Sequence, residues 1–344
     1  MSSAPRLAQL DALRGIAALA VVLFHYTTRY DQLFGHAQAP AVSFPYGYLG
    51  VNLFFMISGF VIFMTLERTA RPMDFVVSRF SRLYPAYWGA ILLTFALTHA
   101  IGLPGKTVGW DVLLVNVTMV QGFFGVAHVD GVYWTLEVEL LFYAWALLSF
   151  RVGGAAGLRH FLFACLALRL VYAAVQVFWG ADLPWMGQRW LLLPYICWFA
   201  LGVTIYRLSR QDAASAWDWA LAVAAVLVIG LVEDWGLAAL AVAFYAVLSG
   251  AARGRWTWLE HPVLLWLGAI SYTLYLLHEN IGWAVLRRLE SWGVEVHLAI
   301  ALTMAVSMAL AHGLTTLVEQ PGMRWIRDRY RARSPGSKAA PAGG

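Results

Sequence analysis

His25 and Arg14 share one apolar run, LDALRGIAALAVVLFHY, residues 10–26. Eleven positions along an α-helix separate them by about 16 Å, roughly half of a hydrocarbon core of about 30 Å. A titratable ring at that depth is costly unless it faces the interior of a bundle, which makes it a functional-site candidate. A structural histidine bonded to a neighbouring helix fits the same pattern. Glu137 and Glu139 open another apolar run near 132–150. Two residues apart on a helix, they point about 200° away from each other and cannot both face one partner. A histidine beside a carboxylate in a dry cavity is suited to general-base work on a hydroxyl. Burial disfavours the imidazolium and leaves the ring able to accept a proton, while the carboxylate fixes the tautomer and stabilises the cation once formed. The competing reading is a His–Glu pair that only locks two helices together.

Arg79 and Arg82, in DFVVSRFSRLYPAYW, are three apart and so share a helix face. Two guanidiniums there could hold phosphates in bidentate fashion, or could be ordinary basic charge at an inner membrane surface. The stretch GAISYTLYLLH (268–278), followed by Glu279, puts a histidine and a carboxylate at the end of a further apolar run. Lining of an acceptor mouth competes there with interface anchoring. His99 and His312 read as structural. Arg169, inside an apolar run, calls for a carboxylate that the sequence does not identify, and Glu319 is expected to cap a helix or to pair with an arginine of the loops or tail.

The elements that must position these residues are membrane helices. Hydrophobic residues make up 61% of the chain and charged ones 12%, against about 25% charged in soluble domains. Apolar runs long enough to span fall near 13–30, 48–65, 83–101, 132–150, 161–178, 190–206, 217–232, 236–250, 262–281 and 297–317. The segment 111–124 is shorter and carries Asn116, Thr118, Gln121 and Gly122, so it could cross, lie in the interface or dip back. The positive-inside rule decides. With a cytoplasmic N-terminus and no crossing at 111–124, eighteen Lys and Arg fall inside and five outside (Arg29, Lys106, Arg189, Arg287 and Arg288). The expected fold is therefore all-α: a polytopic integral membrane bundle of about ten transmembrane helices with both termini cytoplasmic. Residues 1–322 form the membrane domain and 323–344 a basic, disordered cytoplasmic tail. The first apolar run is expected to stay as a span, without signal cleavage. The net charge of +5 is spread through short loops, with no basic stripe interleaved with aromatics, so no nucleic-acid partner is expected. Cys165 and Cys197 sit in apolar runs and read as packing residues, and no metal site is expected.

Five stretches taken in order resemble the membrane-bound acyltransferase 3 family of bacterial O-acyltransferases. They are LDALRGIAALAVVLFH (10–25), GYLGVNLFFMISGFVI (47–62), SRFSRLYPAYW (78–88), YWTLEVELLFY (133–143) and GAISYTLYLLH (268–278). The resemblance implies a ten-helix core in the bacterial inner (cytoplasmic) membrane. It makes His25 the essential histidine, Arg14 its partner near the cytoplasmic start, and Arg79 with Arg82 the R-x-x-R motif that handles acyl-CoA. The pattern W-S-L-x-x-E-x-x-F-Y falls on Trp134, Thr135, Leu136, Glu139, Phe142 and Tyr143, which selects Glu139 over Glu137. Thr135 stands where the family has serine and keeps the hydroxyl. Ser271, Tyr272, Tyr275 and His278 match a further motif.

The activity implied is transfer of an acyl group, acetyl first among them, from cytoplasmic acyl-CoA to a hydroxyl of an extracytoplasmic glycan. That glycan would be an exopolysaccharide, a lipopolysaccharide or a lipid-linked sugar. Acyl-CoA is then a co-substrate, and no cofactor is bound permanently. His25 and Glu139 are the expected catalytic pair, and Arg14, Arg79 and Arg82 hold the donor. Trp134, Thr135, Glu137, Tyr143, Ser271, Tyr275 and His278 are supporting or acceptor-side candidates. Two alternatives stand beside this reading: the same chemistry on a small molecule such as a macrolide, and a transporter of donor or glycan, since intramembrane His and Glu also serve proton-coupled transport.

Overall fold

A backbone in hydrocarbon must satisfy its own N–H and C=O groups, and a helix does so within one segment. In a computed structural model, which describes residues 5–181, 183–210 and 214–333, every element is helical. In chain order the main helices are α1 (Pro5–Phe24), α2 (Gly50–Arg68), α3 (Pro72–Ile101), α4 (Trp110–Asn116), α5 (Trp134–Trp179), α6 (Ile196–Ser209), α7 (Ala216–Val232), α8 (Trp235–Ala252), α9 (Pro262–Leu277), α10 (Glu279–Ser291), α11 (Val296–Leu314) and α12 (Gln320–Arg333). Five helical stretches among the described residues are long and apolar enough to cross a bilayer: Ala8–Phe34, Gly47–Arg68, Gly131–Trp179, Trp235–Ala252 and Val296–Arg333. Helices α6, α7 and α9 are apolar but shorter.

Two of the expected spans, 132–150 and 161–178, share the long helix α5. The helix is broken inside by Gly153 and Gly154, and Gly154 has φ 58°. That left-handed backbone is open to glycine at no steric cost, so the pair makes a hinge between two apolar halves. The segment 111–124 does not form a spanning helix. Helix α4 stops after seven residues, Met119 takes φ 64°, and a short 3-10 turn follows at Gln121–Phe124. Side chains of α3 satisfy the carbonyls freed by the break: the Tyr87 hydroxyl donates to Asn116 O (2.8 Å), Trp88 Nε1 to Val117 O (3.0 Å) and the Tyr84 hydroxyl to Thr118 O (3.0 Å).

The chain divides into two compact units. The first holds residues up to Gln32, Ala41–Arg68 and Tyr133–Ser271. Its helices approach closely at small residues, as membrane helices do. A Cβ on Gly59 would strike the backbone of Phe199, and one on Gly202 the backbone of Met56, so α2 and α6 touch main chain to main chain. Phe142 of α5 stacks on Phe199 at 4.0 Å between ring centroids, and Phe55 lies 4.9 Å from Phe199 on the other side. In the second unit (Leu33–Pro40, Thr69–Val132, Tyr272 onward) α3 is bound to α12. The Tyr330 hydroxyl donates to Asp74 at 2.7 Å, and Arg327 Nε to Ser81 Oγ at 3.0 Å. Residues 323–333, expected to begin a disordered tail, are thus helical and docked; residues 334–344 lie outside the described residues.

Because Gly202 meets backbone rather than a movable side chain, Gly202→Val should lower the unfolding midpoint in detergent, at a cost of at least about 1–3 kcal/mol. Gly313→Ala, with open space around it, should leave the midpoint unchanged or raise it. Fluorescence-detected thermal unfolding of the two variants checks the contrast.

Candidate active site

Helix α1 ends in a π-type turn, His25–Arg29, in which the Tyr30 N–H donates to His25 O. Such turns are rare and occur often at functional sites. His25 is half-buried at its start. Its Nδ1 lies 2.9 Å from Val21 O. A carbonyl can only accept, so the proton sits on Nδ1 and Nε2 carries the lone pair. The backbone of its own helix therefore sets the tautomer, a task the sequence reading gave to a carboxylate. Arg14, also half-buried, makes no hydrogen bond or ion pair with any described residue.

The structure separates the two glutamates. Glu137, 2% exposed, accepts from Arg189 Nη2 at 2.6 Å. Glu139 has no cation partner among the described residues. Its Oε1 accepts from Ser58 Oγ of α2 at 2.9 Å and from the hydroxyl of Tyr143, one turn further along α5. No hydrogen bond or ion pair joins His25 to Glu139 among the described residues, so the expected direct pair is not formed. Both belong to the first unit. Trp134 sits at the start of α5 in an aromatic group with Tyr195 (5.3 Å) and Phe55 (6.4 Å). Thr135 is buried beside it.

Ser271, fully buried, donates back to Gly268 O at 2.8 Å within α9, a local bond that suits a structural role. Tyr275 and His278 fall in the second unit. The Tyr275 hydroxyl reaches Val132 O at 3.5 Å, and His278 Nδ1 donates to Tyr275 O at 2.8 Å. Beside them Asp130, wholly buried, accepts the backbone N–H groups of Asn280 (3.0 Å) and Val132 (3.3 Å). Burial and the neighbouring Glu279 carboxylate push the Asp130 carboxyl well above the usual carboxylate range.

The basic motif of α3 lies in the same unit. Arg82 pairs with Glu319, a residue 1% exposed on the π-type turn Thr315–Glu319, and lies over the Tyr272 ring at 5.6 Å. This supplies the arginine partner expected for Glu319. Arg79 donates to Ser78 Oγ at 3.1 Å and lies over Phe75 at 5.9 Å. Arg327 joins them from α12, close enough to feel the charges of Arg79, Arg82 and Arg331. Glu319 is bound to one of these three guanidiniums, so the cluster keeps an excess of positive charge.

Ser58 and Arg327 were not singled out from the sequence. Ser58 is the one serine or threonine in the apolar stretch 47–62, and that was its only signal. Arg327 was hidden by its place in a basic C-terminal stretch, although Gln320–Arg333 has the apolar and charged faces of an amphipathic helix. Arg169, by contrast, has the carboxylate it required: it pairs with Glu233 and donates to Pro194 O at 2.9 Å.

Comparison with known proteins bears on this arrangement. The model of the acyltransferase 3 family, described as an acyltransferase domain, matches residues 7–314. The acyltransferase MdmB of Streptomyces mycarofaciens is 26% identical over 96% of this chain and 95% of its own length. BcsY of Komagataeibacter xylinus, named as a candidate membrane-bound transacylase, is 26% identical over 95% and 84%. The exopolysaccharide production protein ExoZ of Rhizobium meliloti is 32% identical over 33% and 37%. No solved structure matches.

Glu137→Gln removes the buried anion from the Arg189–Glu137 ion pair, so it should cost about 3 kcal/mol of stability. Glu139→Gln keeps an oxygen for the Ser58 and Tyr143 hydroxyls and should cost about 1 kcal/mol or less. Thermal unfolding of the two variants side by side tests the separation; the reverse order would contradict it.

Proposed function

We propose a donor, an acceptor and a base for this chain, which belongs to the acyltransferase 3 family and is an acyltransferase. Acetyl-CoA binds from the cytoplasm and the acetyl group passes to a hydroxyl of an extracytoplasmic glycan in the bacterial inner membrane, within a bundle that crosses ten times. The observation that carries this reading is His25: a half-buried imidazole in an apolar helix, on a π-type turn, with its Nδ1 proton committed to Val21 O. Nε2 is then the basic nitrogen. It takes the acceptor's O–H proton as the oxygen attacks the thioester carbonyl. The C–O bond forms, the C–S bond breaks, and the proton passes from the imidazolium to the departing thiolate.

Glu139 stabilises the imidazolium without touching it. Its charge is not cancelled by any cation among the described residues, and in a poorly hydrated interior such a field reaches further than in water. Ser58 and Tyr143 fix its position by bonding to one oxygen. The donor's phosphates are assigned to Arg79 and Arg82, with Arg327 as a third guanidinium. Fork-shaped guanidiniums match phosphate oxygens in bidentate geometry, and the positive excess around Glu319 supports the assignment. A glycan acceptor is supported by the likeness to ExoZ, a protein of exopolysaccharide production.

Purified protein with radiolabelled acetyl-CoA and candidate glycans tests the base. His25→Ala should lower transfer by at least about a hundredfold while leaving the unfolding midpoint near that of the parent. Glu139→Gln should cost far more activity than Glu137→Gln, once the amount of folded protein is matched. Undiminished transfer by His25→Ala would end this mechanism.

The donor assignment is tested separately. Arg82→Ala would strand a buried Glu319, so Arg79→Ala and Arg327→Gln are the cleaner variants. Each should raise KM for acetyl-CoA about three- to tenfold with kcat little changed, equivalent to one lost charge-assisted contact. Unaltered donor affinity in both would reject the cluster as the phosphate site.

A further inference from the structure

A second cationic site lies at the other end of α3. A cavity of about 480 Å³ opens between the turn Gly102–Thr107 and the last turns of α10, where Arg287, Arg288 and Ser291 line it. That volume suits a ligand of one or two sugar units. Arg288 is anchored by a bond from Nη2 to Ile101 O (3.0 Å), and Arg287 lies over the Phe34 ring at 5.8 Å. Neither guanidinium forms an ion pair with a described residue. Glu290, the nearest carboxylate in sequence, is committed to His36 at 2.6 Å. Lys106, in the turn that forms the opposite wall, does not line the cavity: it lies over the Trp283 ring at 5.0 Å and acts on the buried Asp130 carboxyl. Basic residues near a helix C-terminus favour the macrodipole, but that effect does not require a cavity.

The place of the cavity along α3 distinguishes it from the donor cluster. From Arg79 to Ile101 is 22 residues, about 33 Å along a helix, close to the hydrocarbon thickness of about 30 Å. If Arg79 and Arg82 are at the cytoplasmic surface, the cavity is at the outer one. There the positive-inside tendency disfavours arginine and lysine, yet two of the five basic residues assigned to the outside, Arg287 and Arg288, line this one cavity.

We propose that this cavity binds an anionic oxygen group of the acceptor, a carboxylate or a phosphate, and hence that the acceptor is an acidic glycan. The inference rests on the acyl-transfer reading above and names the acceptor's class. Two guanidiniums held in place, without a carboxylate to compensate them, are preorganised for such a group.

The full chain in phosphatidylcholine nanodiscs provides the test, with a tetrasaccharide of glucuronate, its neutral glucose counterpart and inorganic phosphate as probes. The acidic tetrasaccharide should bind about tenfold or more tightly than the neutral one, and inorganic phosphate should displace it. The double variant Arg287→Gln, Arg288→Gln should lose the preference while its affinity for acetyl-CoA stays within about twofold. Equal binding of the two tetrasaccharides, or a preference that survives in the double variant, overturns the proposal. So does loss of the preference when phosphatidylglycerol replaces phosphatidylcholine, since the cavity would then be a lipid-headgroup site. His25→Ala protein should keep the preference, which separates this test from that of the base: binding intact with no transfer by the parent protein would sink the acyl-transfer reading and leave the anion site standing.

Discussion

An ionised group among apolar helices must find a counter-charge, a set of donors or a proton, and this requirement orders the interior of the chain. Glu137 has Arg189, Arg169 has Glu233, and Asp218 is shared by Arg159 and Arg207. Each of these pairs ties two segments together and is spent in doing so. Glu139 is different, because two hydroxyls hold it and no guanidinium among the described residues neutralises it. On the proposed reading that carboxylate acts as a field inside the unit that carries His25. A structural carboxylate gains most by being cancelled, whereas one that must act on a developing cation gains by being fixed and left charged.

The same logic applies to the histidine. A ring that depended on a carboxylate for its tautomer would change protonation whenever that carboxylate did. By donating Nδ1–H to Val21 O, His25 takes its orientation from a group that does not titrate. Tyr26 and Thr27 in the π-type turn that begins at this residue, and Tyr30 just after it, are buried. The Thr27 hydroxyl is then placed to accept the Phe44 N–H at 3.0 Å, which fastens the following loop back onto the helix. The irregularity is thus stabilised from both sides and does not depend on the imidazole.

Much of this was legible in the residues. Long apolar runs specify helices in hydrocarbon because nothing else satisfies the backbone there, so the all-α architecture could be read directly; run length left 111–124 open, and only the charge asymmetry of the loops argued against a crossing there. The choice of Glu139 over Glu137 came from a motif in the sequence; in the structure the two residues have different partners, Arg189 for Glu137 and two hydroxyls for Glu139. What could not be read was pairing across the chain. The partners of Arg169 and Arg82 lie 64 and 237 positions away, and no periodicity links such residues. The direct His25–Glu139 contact was expected because proximity in depth was taken for proximity in space. The docked helix α12 was missed because eight of its residues are Arg, Gln, Asp or Gly, a composition that suggests an unstructured tail unless Tyr330 and Arg327 are seen to have partners on α3.

Helix α3 bears on why the acyl group, and not its carrier, should cross. A nucleotide carrying several phosphates cannot enter hydrocarbon without losing hydration worth far more than any one binding contact returns. It can be held only where cations meet water, and on the proposed reading Arg79, Arg82 and Arg327 supply such a place near the start of α3. Between that end and Ile101 the helix buries Leu83, Ala86, Ala90 and Ile91, an apolar stretch with no charge to receive a phosphate. An acetyl group on a thioester has no charge to lose. On the proposed reading, the helix that holds the donor is therefore also the barrier to its passage, and only the neutral fragment has a route to the side where the hydroxyl waits.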